Sequence, residues 1–224
     1  MSAIGYGLLW LLFNAVARLF FGYQVVGREH IPKEGGVLVA ANHASFLDIP
    51  FLGCGIPRRV AFLGRQDLFP VPGLRWACQK LGWIPIRHDR LDRVGFGKAI
   101  SLIQDGKVVV IYPEGTRTPD GRLKPGKPGV GLLVEETGCP VVPAHISGTY
   151  EAMPPGSFRI RLRPIRVSFG KPLDFSSDRQ RYAGKAFYRH VSRTVMERIA
   201  ELGQVPPPAD HAGQRPEARP HNAE

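Results

Sequence analysis

The strongest restriction on this chain is its alternation of short β-rich runs with stretches of helical period. Val37–Ala41, Val60–Gly64, Trp83–Ile86, Val108–Tyr112, Val141–Ile146 and Ile160–Phe169 have the length and β-branched content of strands. Between them, Phe96, Ala99, Ile100 and Ile103 fall on one helical face closed by Asp105-Gly106. Val130, Leu133, Val134 and Thr137 form another face, closed by Gly138, and Phe187, Val191, Val195 and Ile199 form the last. No internal repeat is present. Strands alternating with helices predict an α/β layer structure, a mixed and largely parallel sheet flanked by helices, in which ligands sit at strand ends. At 224 residues and 43% hydrophobic content the chain has enough material for one domain with its own core, and is too polar for a multispan membrane protein.

The ends differ from the middle. From Ser2 to Ala17 there is no charge, but Arg18 interrupts the apolar run before the roughly 20 residues a spanning helix needs. No basic residue precedes the run, which argues against a secretory signal. As a helix it carries Gly7, Asn14 and Arg18 within about 20° of one line, a narrow polar stripe on an apolar rod. Residues 1–24 are therefore expected to form a membrane-associating helix lying in the interface, with Trp10, Phe20, Phe21 and Tyr23 at headgroup depth. The competing reading is a helix packed on the domain's own core. Residues 204–224, with five prolines and few large apolar side chains, have the composition of a disordered tail, leaving 25–203 as the domain. The tail holds two basic and three acidic residues, so residues 1–203 carry +12 of a total of +11. Such a charge attracts anionic surfaces: phospholipid headgroups, nucleic acid or acidic partners. Cys54, Cys78 and Cys139 are an odd count without CxxC spacing, which gives neither a disulfide framework nor a zinc knuckle and fits a reducing cytosol.

Two clusters at strand exits can carry chemistry. Asn42-His43-Ala44-Ser45-Phe46-Leu47-Asp48 places a histidine directly after a strand and a carboxylate five residues on. If the aspartate folds back onto one imidazole nitrogen, it fixes the tautomer and leaves the other nitrogen to take a proton. The plainer alternative is a polar turn with Asp48 capping a helix. Tyr112-Pro113-Glu114-Gly115-Thr116-Arg117-Thr118 combines glycine freedom, a hydroxyl and a forked cation, a set suited to an oxyanion or phosphate. An ordinary turn with Glu114 paired to Arg117 is its alternative. Arg87 ends the strand in Gly82–Arg87 and can add a second cation; Arg65 follows another strand and is a weaker candidate.

Other signals fail. Gly121–Pro128 has a GxxxxGK frame, but Pro128 stands where a magnesium-ligating Ser or Thr is needed. Neither a GxSxG elbow nor an HExxH or cysteine-pair metal site is present, so no metal and no cofactor is expected. Arg159, Arg161 and Arg163 alternate as on one strand face, without the interleaved aromatics of a nucleic-acid sheet, so no nucleic-acid partner is expected.

In this order, NHxxxxD at 42–48, Gly82–Arg87, Pro113–Arg117 and Val142-Pro143 resemble the motifs of the 1-acylglycerol-3-phosphate O-acyltransferase family of glycerolipid biosynthesis, over roughly residues 25–175. The resemblance implies the glycerolipid acyltransferase fold, with His43 as general base and Asp48 as its orienter. It implies that Arg87, Glu114, Gly115, Thr116 and Arg117 bind the acyl acceptor and its phosphate. The family's aromatic-Lys-x-Gly segment corresponds to Gly126-Lys127-Pro128-Gly129, which adds Lys127 as a phosphate contact, and its fourth motif ends here in Ala144. The implied reaction moves an acyl group from acyl-CoA or acyl carrier protein to lysophosphatidic acid, making phosphatidic acid at the cytoplasmic face of a membrane, with peripheral or monotopic attachment. Acylation of another lysolipid or hydroxylated lipid is the second reading, and a noncatalytic basic membrane- or nucleic-acid-binding protein the third.

Overall fold

The computed structural model describes residues 3–65, 76, 79, 82–87 and 92–209. Seven strands, β1 Gln24–Val26, β2 Val37–Ala41, β3 Val60–Arg65, β4 Trp83–Ile86, β5 Val108–Ile111, β6 Val141–Ser147 and β7 Arg166–Phe169, form one sheet in the order β1-β7-β6-β2-β5-β3-β4. All neighbours pair in parallel except β6 and β7, which run antiparallel. The helices whose bounds fall within the described residues are α1 Ala3–Phe21, α2 Asp48–Gly55, α3 Arg93–Gln104, α4 Gly129–Thr137, α5 Thr149–Ala152, α6 Asp178–Arg181 and α7 Gly184–Gly203, with a 3₁₀ turn at Arg28–His30.

The unbroken apolar runs of β2 and β5 follow from burial on both faces. Successive side chains of a strand point to opposite sides. Val37, Val39 and Ala41, with Val108 and Val110, accordingly pack against Phe51 and Leu52 of α2 and Ala17 of α1. Leu38 and Ala40, with Val109 and Ile111, pack against Ala99 and Ile103 of α3, Leu133 of α4, and Val191 and Val195 of α7. Each fully buried Val or Leu side chain among them stabilises the fold by roughly 1.5–3 kcal/mol. Helix ends follow local chemistry: the Asp92 side chain accepts from the amides of Val94 and Gly95 at the start of α3, and Gly138, at φ 67°, ends α4.

Three expectations need correction. The strand predicted from Ile160 begins only at Arg166, because Pro164 has no amide to donate and residues 158–164 are exposed without regular structure. Arg159, Arg161 and Arg163 therefore do not share a strand face. The polar stripe of α1 is divided: Arg18 is exposed, whereas Asn14 is buried, its Nδ2 donating to the carbonyls of Trp10 at 3.0 Å and Cys54 at 3.3 Å, and Ala17 is buried near it. Leu8, Leu11, Leu12, Leu19 and Phe20 are instead exposed. Of the aromatic residues expected at headgroup depth, Tyr23 is buried with its hydroxyl donating to the Phe51 carbonyl at 2.6 Å, and Phe21 stacks edge-on against Phe51. The helix docks through Asn14 and Ala17 and leaves an apolar side outward. No helix among the described residues is long and apolar enough to cross a membrane. Cys54 and Cys139 are buried and free, while Cys78 lies outside the described residues. Residues 204–209 follow α7, with Pro208 buried; the remainder of the predicted tail lies outside the described residues.

Candidate active site

Because β2, β3, β4 and β5 are parallel, their C-terminal ends share one edge of the sheet. Both clusters singled out in the sequence emerge there, with Arg65 and Arg87. The chain leaving β2 goes to β3 on one side, whereas the connection from β5 crosses to β6 on the other. A crevice at such a reversal of strand order is the usual ligand position in an open α/β sheet.

His43 and Asp48 meet. Asp48 begins α2 and is fully buried; its Oδ2 lies 2.9 Å from His43 Nδ1 and accepts the amides of Ala44 at 2.7 Å and Ser45 at 2.8 Å. One aspartate thus closes the turn and fixes the imidazole, so the capping and orienting readings are both realised. With Nδ1 engaged, the tautomer that donates from Nδ1 leaves Nε2 as a proton acceptor. His43 lines a cavity of about 1010 Å³. The Tyr112 ring stacks on the imidazole at 4.0 Å between centroids and 15° between planes, which restrains the ring from its flat side.

The backbone of His43 is held by the second cluster. Its amide donates to Glu114 Oε1 at 2.9 Å, and its carbonyl accepts from the Thr118 amide at 2.8 Å. Glu114 Oε2 accepts from the Lys124 amide at 3.2 Å. Burial pushes the Glu114 carboxyl up to about 7, while the amides of His43 and Lys124 pull the other way. Glu114 is 3% exposed and does not line the cavity, so the structure places it behind the wall, joining two loops, rather than against a ligand; nor does it pair with Arg117. The other predicted binding residues converge on the cavity: Arg87, Gly115, Thr116, Arg117 and Lys127 all line it. Gly115 has φ 74°, and a Cβ there would lie 2.9 Å from the Lys127 side chain. The missing side chain both permits the turn and admits Lys127, whose amide is tied to the Pro113 carbonyl at 2.8 Å. The Arg117 guanidinium sits 3.5 Å above the centre of the Phe46 ring, a cation–π contact that fixes its plane. Burial, with Arg65 nearby, lowers its pKa against the opposing field of Asp48.

Several contributors were ranked low or missed. Arg65 ends β3 opposite Ile86 of β4, beside Arg87, and lines the same cavity. Lys124 donates through Nζ to Thr116 Oγ1 at 2.7 Å and to the Arg117 carbonyl at 3.1 Å, ordering the loop. Lys185 and Arg189 on α7 reach the rim from far along the chain. Asn42 acts as a side-chain strand pair, its Nδ2 donating to the Ile146 carbonyl at 2.9 Å and its Oδ1 accepting the Ile146 amide at 2.7 Å. Val142 and Pro143 lie in β6 against β2 and support the strand that presents His43 without lining the cavity. The cavity thus brings Arg65, Arg87, Arg117 and Lys127 together with the apolar side chains of Leu63, Ile86, Phe96, Ile111 and Leu132. Among the described residues no group of three or more His, Cys, Asp or Glu side chains gathers as a metal site.

Comparison with known proteins agrees with this geometry. A chloroplast 1-acyl-sn-glycerol-3-phosphate acyltransferase of Brassica napus is 35% identical over 158 residues, covering 69% of this chain and 46% of that protein. The chain spans about half the length of that relative and of its Arabidopsis thaliana counterpart. A 1-acyl-sn-glycerol-3-phosphate acyltransferase of Bacillus subtilis is 25% identical over 182 residues, covering 81% of this chain and 88% of that one. The crystal structure of the 1-acyl-sn-glycerophosphate (LPA) acyltransferase PlsC from Thermotoga maritima superposes with a TM-score of 0.69 at 29% identity, covering 87% of this chain and 78% of that chain. The model of the Acyltransferase family matches residues 22–147, a stretch that holds every strand end converging on the cavity, and the chain belongs to that family.

Proposed function

We propose that the chain transfers a fatty acyl group from a thioester donor, acyl-CoA or acyl carrier protein, to the free hydroxyl of 1-acylglycerol-3-phosphate, giving phosphatidic acid. The observation that carries this reading is a carboxylate-held histidine at a cavity lined by both cations and large apolar side chains. In this mechanism His43 Nε2 takes the proton of the acceptor hydroxyl as its oxygen attacks the thioester carbonyl. The tetrahedral intermediate collapses, the C–S bond breaks, and His43 returns the proton to the leaving thiolate. Base assistance of this kind contributes about 100- to 10,000-fold. Arg117, held flat over Phe46, and Arg87 bind the acceptor phosphate, with Lys127 and Thr116 beside them. Arg65 joins this set. The apolar wall takes acyl chain, whose withdrawal into water costs about 0.8 kcal/mol per CH₂. The mechanism uses no metal and no cofactor.

The same reading gives the outward side of α1 a purpose. Leu8, Leu11, Leu12, Leu19 and Phe20 are between 51% and 78% exposed, and an interfacial helix immerses such a face among lipid headgroups and upper acyl chains. We place the protein at the cytoplasmic face of a membrane, attached without spanning it.

The test is acyl transfer in mixed micelles from acyl-CoA and from acyl carrier protein, to 1-acylglycerol-3-phosphate and to 1-acylglycerol. Product from the phosphorylated acceptor alone supports the reading and the arginine roles. Equal product from both acceptors moves the acceptor to other hydroxylated lipids, and product from neither, with other lysolipids also inert, overturns it.

A further inference from the structure

Residues 158–164 form seven consecutive exposed positions without regular structure. Phe158, Ile160 and Leu162 are 93%, 52% and 61% exposed, and they alternate with Arg159, Arg161 and Arg163. None of these arginines forms an ion pair with a described residue. The segment is nevertheless positioned. The Arg161 amide donates to the Ala152 carbonyl at 2.8 Å, and the Ile165 amide donates to the Phe21 carbonyl at the end of α1 at 3.0 Å. Just before the segment, Pro155 lines the cavity. The chain here therefore runs from the rim of the site to the helix whose apolar side faces outward.

Water suits the three arginines and not the three large apolar side chains. An acidic protein surface would pair with the arginines while leaving the apolar groups unmatched. A bilayer interface accepts both kinds, since apolar side chains enter the acyl boundary while arginines stay level with the phosphates. We propose that residues 158–164 are a second lipid contact, selective for anionic phospholipid surfaces, that sets the mouth of the cavity against the membrane. The inference rests on the lipid-acceptor reading above for its purpose, and its test does not depend on transfer activity.

The experiment is sedimentation of the full chain with vesicles of phosphatidylcholine, and with vesicles in which a third of the lipid is phosphatidylglycerol. Wild type is compared with an R159Q/R161Q/R163Q variant and an F158S/I160S/L162S variant. The arginine variant is expected to lose about 100-fold in affinity for the anionic vesicles, roughly fivefold per arginine, with no change on neutral ones. The serine variant is expected to weaken on both. Both variants should keep wild-type melting and wild-type transfer in detergent micelles. Binding of the arginine variant to anionic vesicles within about twofold of wild type overturns the proposal. So does intact vesicle binding accompanied by selective loss of transfer from acyl carrier protein, which assigns the segment to an acidic protein. If the serine variant does not fold, the arginine variant decides alone. A wild type that binds anionic vesicles through this segment without transferring acyl groups overturns the proposed function and leaves the lipid contact standing.

Discussion

At the scale of single residues the site is a histidine restrained from three directions: Asp48 at Nδ1, the Tyr112 ring against its face, and Glu114 with Thr118 on its backbone. His43→Ala is expected to abolish transfer while vesicle binding survives; near-full transfer by a folded variant would exclude His43 as the base. Tyr112 separates stacking from hydroxyl chemistry. Tyr112→Phe keeps the ring and should keep transfer within about twofold, whereas Tyr112→Leu frees the imidazole and should lower kcat about tenfold with KM little changed, given that small misplacements of a reacting group cost up to about 100-fold. Equal loss in both variants would locate the effect in the hydroxyl. Arg117→Lys cannot reproduce a planar cation held over Phe46, so KM for the acceptor should rise about tenfold or more, as it should for Arg117→Ala. A rise confined to the Ala variant would reduce Arg117 to a point charge. The His43–Asp48 pair was legible because its partners are five residues apart in one turn. Tyr112, Lys124, Lys185 and Arg189 were not, since their positions relative to His43 exist only after distant segments pack.

Among elements, β2 and β4 were the most readable. Both begin and end where their apolar runs predict: β2 is central and buried along its whole length, and β4, at the sheet edge, is an unbroken apolar run of four residues. β1 was missed: three residues with two exposed side chains give no periodic signal. β7 was drawn too long because alternating apolar and basic residues mimic a half-buried strand even when the whole run is exposed. The side on which α1 docks was left open for a related reason. A narrow polar stripe has the same period whichever side is buried, and the contact that draws Asn14 inward comes from Cys54, 40 positions away. α4 and α7 touch closely at Gly131, where a Cβ would lie 2.3 Å from the Tyr188 Cα. Gly131→Ala must separate these helices, and we expect a loss of about 1–3 kcal/mol in denaturant unfolding. Because Leu132 of α4 and Tyr188 of α7 line the cavity, the same variant should raise KM for long-chain substrates before it affects short ones. Unchanged stability would mean that the helices part without cost.

For the whole molecule, two buried groups give stability opposite dependences on pH. Burial raises Glu114 from 4.5 to about 7, so its contribution is full below pH 4.5 and is lost as pH rises through 7. Burial lowers His145 from 6.5 to about 4 against the field of Asp48, so its contribution is full above pH 6.5 and is lost as pH falls through 4. Between 4.5 and 6.5 the two slopes oppose each other, and single variants should uncover them. Relative to wild type, Glu114→Gln should gain stability as pH rises from 4.5 to 7, by up to about 1.4 kcal/mol per pH unit, on top of a fixed loss from its weakened hold on the two amides. His145→Asn should gain relative stability as pH falls from 6.5 to 4. Urea unfolding across this range checks both, and variant curves parallel to wild type would contradict them.

The bonds that assemble the site also span long stretches of chain: 71 residues between His43 and Glu114, and 104 between Asn42 and Ile146. Closing loops of that size delays non-local contacts during folding. The reactive histidine therefore reaches its working position only after β5 and β6 have joined β2, and regained turnover should lag behind regained helix content when the denatured chain is diluted into buffer.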